Sequence, residues 1–175
     1  MRNIKLLIIL LSALIIWACK QDHKEPTIQE EHITTLYFIR HAEKDRSDPD
    51  DIDPELNQEG LGRAMRWAEI LGPVDLDAIY ITDFKRTSMT AAPTSVKREI
   101  SPQYYDPKAI IIEDFLKENL GRNVLVVGHA DSTPQFVNAL LGEQKYEPMD
   151  DYDYSSLFII RIINGKASDI RLQMD

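Results

Sequence analysis

The chain has 175 residues, 43% of them hydrophobic, and its 29 acidic against 20 basic side chains give a formal charge of −9. That length and composition suit one globular domain with a proper core. So acidic a surface argues against nucleic-acid binding and for small ligands drawn into a local basic pocket.

Met1-Arg2-Asn3-Ile4-Lys5 is a short basic start, and Leu6 to Trp17 is an apolar run of the kind found in export signals. It is too short to span a bilayer comfortably. Ile16-Trp17-Ala18-Cys19 resembles a bacterial lipobox, whose Cys receives lipid, although Trp17 is bulkier than that pattern usually holds. Cys19 is the single cysteine of the chain, and a lone thiol in an exported protein otherwise lacks an explanation. Residues 1–19 therefore read as a lipoprotein signal peptide with Cys19 as the lipid attachment site. Residues 20–33, polar and aperiodic, read as a flexible tether to a domain over residues 34–175. The expected location is the bacterial cell envelope, lipid-anchored outside the cytoplasm on a periplasmic or surface face. A buried Cys in an uncleaved N-terminal anchor is the plainer alternative.

Leu36 to Ile39 is an apolar run that stops at Arg40-His41 and reads as a buried strand. A polar loop with Asp-Pro turn signals follows, over residues 44–53. Asn57 then caps a helix carrying Leu61, Ala64, Met65, Ala68 and Leu71 at helical spacing, stopped by Gly72-Pro73. Ala78 to Thr82 is the next strand, and residues 83–92 turn from it into a helix whose start, beside Arg86, suits an anion. Glu99 to Tyr105 is a weak strand, and Asp106-Pro107 is expected to open a helix that ends at Asn119-Leu120-Gly121. Asn123 to Val127 is a strand delivering Gly128-His129, followed by a short helix over Pro134 to Leu141. An acidic, aromatic loop spans Glu143 to Tyr154. Ser156 to Ile163 and Lys166 to Met174 flank Asn164-Gly165, a strong hairpin signal. This alternation predicts an α/β fold, helix–sheet–helix in three layers, with a mainly parallel mixed sheet and a C-terminal β-hairpin. Two strands that each end in a histidine stand out, because ligands bind at the carboxyl ends of strands in open α/β sheets.

Laid out in order, these residues resemble the histidine phosphatase superfamily, also called phosphoglycerate-mutase-like. Arg40-His41-Ala42-Glu43 looks like its Arg-His-Gly signature, and Leu56-Asn57-Gln58-Glu59-Gly60 like its Leu-Thr-x-x-Gly helix opening. Ile79 to Thr87 is similar to the Ile-Tyr-Ser-Ser-x-x-x-Arg-Thr segment, and Val126-Val127-Gly128-His129 to the segment with the second histidine. The resemblance implies a phosphomonoester hydrolase with no cofactor or metal, acting on a small phosphorylated substrate. It implies that His41 is the nucleophile and that Arg40, Arg86 and His129 hold the phosphate. The chemistry is consistent: guanidinium forks match phosphoryl oxygens, and a neutral imidazole can attack phosphorus. Two flanking arginines disfavour the protonated ring.

Ala42 stands where the family usually has Gly, which removes backbone freedom. Only 42 residues separate Arg86 from His129, too few for the insertion that carries the general acid in the mutases. Asp106, Asp131 and Asp153 are the candidates for that acid, Asp106 first and Asp131 second, with Asp153 a loop carboxylate. A further possibility is that no acid exists, as in short phosphohistidine phosphatases. Glu43 either orients His41, lines the pocket or is simply solvated. Other readings are a non-catalytic anion-binding lipoprotein, a phosphohistidine phosphatase, and a metallohydrolase built on His41-x-Glu43 and His129-x-Asp131.

Overall fold

Residues 32–174 are described by a computed structural model, in which six strands and four helices form. The expectations for residues 1–19, Cys19 included, and for nearly all of the tether lie outside the described residues. In chain order the elements are β1 (Ile33–Arg40), α1 (Gln58–Ile70), β2 (Ala78–Ile81), α2 (Lys85–Arg98) and β3 (Gln103–Tyr104). They continue with α3 (Ile112–Glu118), β4 (Asn123–Gly128), α4 (Ser132–Leu141), β5 (Ser156–Ile163) and β6 (Lys166–Gln173). Among the described residues no helix is long and apolar enough to cross a membrane.

The strands make one sheet in the order β3-β2-β4-β1-β5-β6. The pairings β3–β2, β2–β4 and β4–β1 are parallel, whereas β1–β5 and β5–β6 are antiparallel. Strand β4 lies at the centre of the parallel half and is buried on both faces, so its sequence reads as an unbroken apolar run. Alternate residues serve opposite faces. Val124 and Val126 join Leu36, Phe38 and Tyr80 in a core that takes Phe115 from α3 and Phe136 and Val137 from α4. Leu125 and Val127 join Ile39, Ile79 and Ile81 in a second core covered by Trp67 and Leu71 of the α1 segment and Ala91 of α2. Two cores on two faces give the three layers that the alternation of elements predicts.

Local chemistry sets the element ends. The Asn57 side chain accepts from the Gly60 N–H at 2.8 Å, capping α1. Gly60 is required by close approach: a Cβ there would lie 2.2 Å from the Glu43 carbonyl oxygen. The missing side chain lets α1 press on the backbone just after His41. At the hairpin, Asn164 and Gly165 have φ of 53° and 76°, the paired left-handed conformations that a tight two-residue turn needs.

One boundary differs from expectation. Asp106-Pro107 opens no continuous helix; the Asp106 carboxylate accepts from the Lys108 N–H at 2.8 Å, and its carbonyl accepts from Ala109 and Ile110. This closes a single local turn. The α3 helix starts only at Ile112, once Ile110 has been drawn against the core and Ile111 left exposed. The strand expected over Glu99 to Tyr105 contracts to two paired residues.

Candidate active site

Because β1 and β4 are parallel neighbours, their carboxyl ends lie side by side. Arg40 pairs with Gly128, and the His41 N–H donates to the Gly128 carbonyl at 2.9 Å. The two histidines that follow therefore meet, with ring centroids 5.4 Å apart. Strand β2 flanks β4 on its other side and hands over, through Thr82 to Phe84, to α2, which carries Arg86 in its first turn. The four residues singled out from separate stretches thus converge at one edge of the sheet. Arg40 and Arg86 both lie near enough to His41 to bias its charge.

Each imidazole is held neutral. Burial, more than the neighbouring arginines, pushes the His41 pKa down to about 3 from its ordinary value of 6.5, against a smaller opposing effect of its bond to Ala42. Burial likewise leads in pushing His129 to about 4, with Arg86 next. The arginines that the sequence points to are real contributors but not the leading cause.

The position of the ring proton follows from the partners. His41 Nδ1 lies 2.7 Å from the Ala42 carbonyl oxygen, which can only accept, so Nδ1 carries the hydrogen and Nε2 keeps its lone pair. His129 is held by hydroxyls. Thr87 spends its one hydroxyl hydrogen on the carbonyls of Thr82 and Phe84, both at 2.8 Å. Thr82 therefore donates to Thr87 Oγ1 at 3.2 Å and accepts from His129 Nε2 at 2.8 Å. Both threonines are fully buried, so water cannot substitute for either link.

The guanidinium groups are anchored but not used up. Arg40 Nη1 donates to the carbonyls of Asp150 at 2.8 Å and Asp153 at 3.3 Å, and its head lies 4.4 Å from the centre of the Tyr154 ring. Arg86 lies 4.1 Å over Phe84 and forms a long ion pair, 3.5 Å, with Asp53. Arg40 Nε and Arg86 Nε are buried without a hydrogen-bond acceptor among the described residues, and Arg86 Nη1 has only the long ion pair with Asp53. Unpartnered buried cationic donors are costly, and an oxyanion is what would satisfy them.

Asp106 and Asp131 both line the hollow that contains Arg86 and His129. Asp131 also caps α4, accepting from Ser132 N at 2.7 Å. Asp153 is committed elsewhere: it bonds Arg171 at 2.7 Å and Ser156 at 2.6 Å, which outweigh its burial and hold its carboxyl below the usual range. Glu43 is buried and turned to Arg63, 2.7 Å away, so it is neither solvated nor paired with His41 as a ligand. Among the described residues no three His, Cys, Asp or Glu side chains are grouped to hold a metal ion.

Several site residues were not marked by the sequence. Tyr154 and the carbonyls of residues 150 and 153 come from the acidic loop, brought in because β5 runs antiparallel to β1 and starts beside its end. Thr90 accepts from the Ala42 N–H at 2.9 Å, and Lys44, whose own pKa is lowered by burial and then by the nearby arginines, adds a cation that helps to lower that of His129. A threonine at the end of an apolar strand, as Thr82 is, was the one available signal.

Residues 36–107 match the family model of the histidine phosphatase superfamily (branch 1). No curated protein matches the sequence. Among solved structures, a mycobacterial glucosyl-3-phosphoglycerate phosphatase superposes with a TM-score of 0.67 at 14% identity, covering 82% of this chain and 100% of that one. The alpha-ribazole phosphatase of Shigella flexneri gives 0.64 at 15%, covering 79% and 96%. The protein histidine phosphatase SixA complexed with tungstate gives the same values, 0.64 at 15% over 79% and 96%. At such identities the likeness is one of fold, and the fold is that of the histidine phosphatases.

Proposed function

We propose that the chain hydrolyses phosphomonoesters through a covalent phosphohistidine on His41, a reading supported by the match of residues 36–107 to the family model of the histidine phosphatase superfamily. The observation that carries the reading is the meeting of two neutral imidazoles, 5.4 Å apart, with two arginines that each keep a buried Nε–H without an acceptor among the described residues.

In this mechanism Arg40 and Arg86 take the phosphoryl oxygens, replacing water with fixed donors. The His41 Nε2 lone pair attacks phosphorus, forming a P–N bond as the P–O bond to the alcohol breaks. Its Nδ1–H stays on the Ala42 carbonyl, which stabilises the positive ring that results. His129, whose Nε2–H is engaged by Thr82, gains a proton at Nδ1 as the phosphate dianion binds and donates it to an equatorial oxygen. Asp106, which lines the same hollow as Arg86 and His129, gives the leaving oxygen its proton, with Asp131 as the second choice. Water then attacks phosphorus, the P–N bond breaks, and the carboxylate recovers a proton. No step needs a metal. The lipid anchor at Cys19 and an extracytoplasmic location complete the proposal.

The test is hydrolysis of a phosphate-ester panel, with an acid-labile, alkali-stable phosphoenzyme trapped from wild type and absent from His41→Ala. Full activity in EDTA is expected, and vanadate should inhibit. Binding of tungstate without any turnover would favour the non-catalytic anion-binding reading. Membrane fractionation of Cys19→Ala, expected to be released into the soluble fraction, tests the anchor.

A further inference from the structure

Asp106 stands where three hollows adjoin. The first, about 540 Å³, holds Arg86, Lys108 and His129. The second, about 420 Å³, shares Phe84, Asp106 and Pro107 with it and adds Asp83, Tyr104 and Tyr105. The third, about 310 Å³, shares Tyr104, Tyr105 and Asp106 and runs on to Ile111, Asp114 and Glu118. The shared residues make these one trough leading out of the phosphate site.

Its charge reverses along its length. Lysine and arginine line only the first hollow; the other two are lined by Asp83, Asp106, Asp114 and Glu118 with no basic residue. Its walls are apolar and open: Tyr104 is 66% and Ile111 62% exposed, large side chains left uncovered along the trough. A second anionic group lying there would meet four carboxylates, with Lys117, which lines an adjoining hollow beside Asp114 and Glu118, the one cation at the far end. A flat ring would find aromatic faces.

Resting on the phosphatase reading, we infer that the substrate is a phosphomonoester whose alcohol part presents an apolar ring and carries no second acidic group. Bisphosphates and phosphorylated carboxylic acids are disfavoured by the carboxylates of the outer trough, although the inner cup would accept their phosphate.

Phosphonates, which are not hydrolysed, separate binding from turnover. Calorimetric titration of the full chain should find benzylphosphonate roughly tenfold tighter than methylphosphonate, as expected for a half-buried ring. 4-Carboxybenzylphosphonate should lose most of that gain. Tyr104→Ala should abolish the benzyl advantage, and Asp114→Asn with Glu118→Gln should restore binding of the carboxylated probe. Tungstate affinity should stay the same in all these variants. Equal affinity for the methyl and benzyl probes, or undiminished binding of the carboxylated one, overturns the inference. Failure of tungstate itself to bind wild type is a distinct result, which removes the phosphate cup and this inference with it.

Discussion

The two histidines end neighbouring parallel strands, yet they are fixed in opposite ways. His41 is held by the backbone carbonyl of the next residue, which leaves Nε2 with a free lone pair. His129 is held through Nε2 itself, by a chain of two buried hydroxyls anchored on the backbone of the β2–α2 junction. The same residue type in equivalent places is thus given different work by which nitrogen the surroundings occupy. The first keeps a free lone pair on Nε2, and the second is oriented and kept in place.

Substitution of the histidines should separate the roles most sharply. His41→Ala is expected to lower kcat by at least about a thousandfold, as removal of a nucleophile does. His129→Ala should cost about a hundredfold while a phosphoenzyme still accumulates, measured by quenched-flow trapping. Equal losses in both would erase the distinction. Thr82→Val keeps volume but removes the link to His129, and should lower kcat about tenfold, with Thr82→Ser retaining most activity. A loss in Thr82→Val that Ser fails to rescue would show that packing, not the hydroxyl, is what matters.

Protonation gives a gentler test. With folded pKa values near 3 and 4 against an ordinary 6.5, both rings bind fewer protons folded than unfolded in that interval. Stability therefore falls as pH drops below 6.5 and goes on falling toward those values. NMR titration should show neither ring protonating between pH 8 and 5, and His41 resisting to the lower pH. Ala42→Gly should have the smallest effect. Ala42 is fully buried against Leu56 and Ala64 and has no left-handed backbone angle, so a glycine here loses a packed methyl and should cost about 1 kcal/mol in a denaturant melt.

The sheet and the four convergent residues were legible because each signal is local. An apolar run that halts at Arg40-His41 or Gly128-His129 announces a strand end, and Asn164-Gly165 announces its turn. The supporting residues were not legible, because their contacts are distant in sequence: Arg40 is held by carbonyls 110 and 113 positions away. Backbone acceptors have no sequence signature at all. The helix expected at Asp106 failed for a related reason. The aspartate does what a capping residue does, but it closes one turn that the pull of Ile110 toward the core does not allow to continue.

The register of β1 on β4 has a consequence for how the protein fails. A slip of one residue would turn every side chain of a strand to the opposite face, and both faces of β4 are core, so the sheet tolerates no partial slippage. The spacing of the imidazoles is a backbone distance protected by the global fold. Phosphatase activity and the fluorescence of Trp67, which is 1% exposed in the second core, should accordingly disappear at one and the same urea midpoint, with no inactive folded species between.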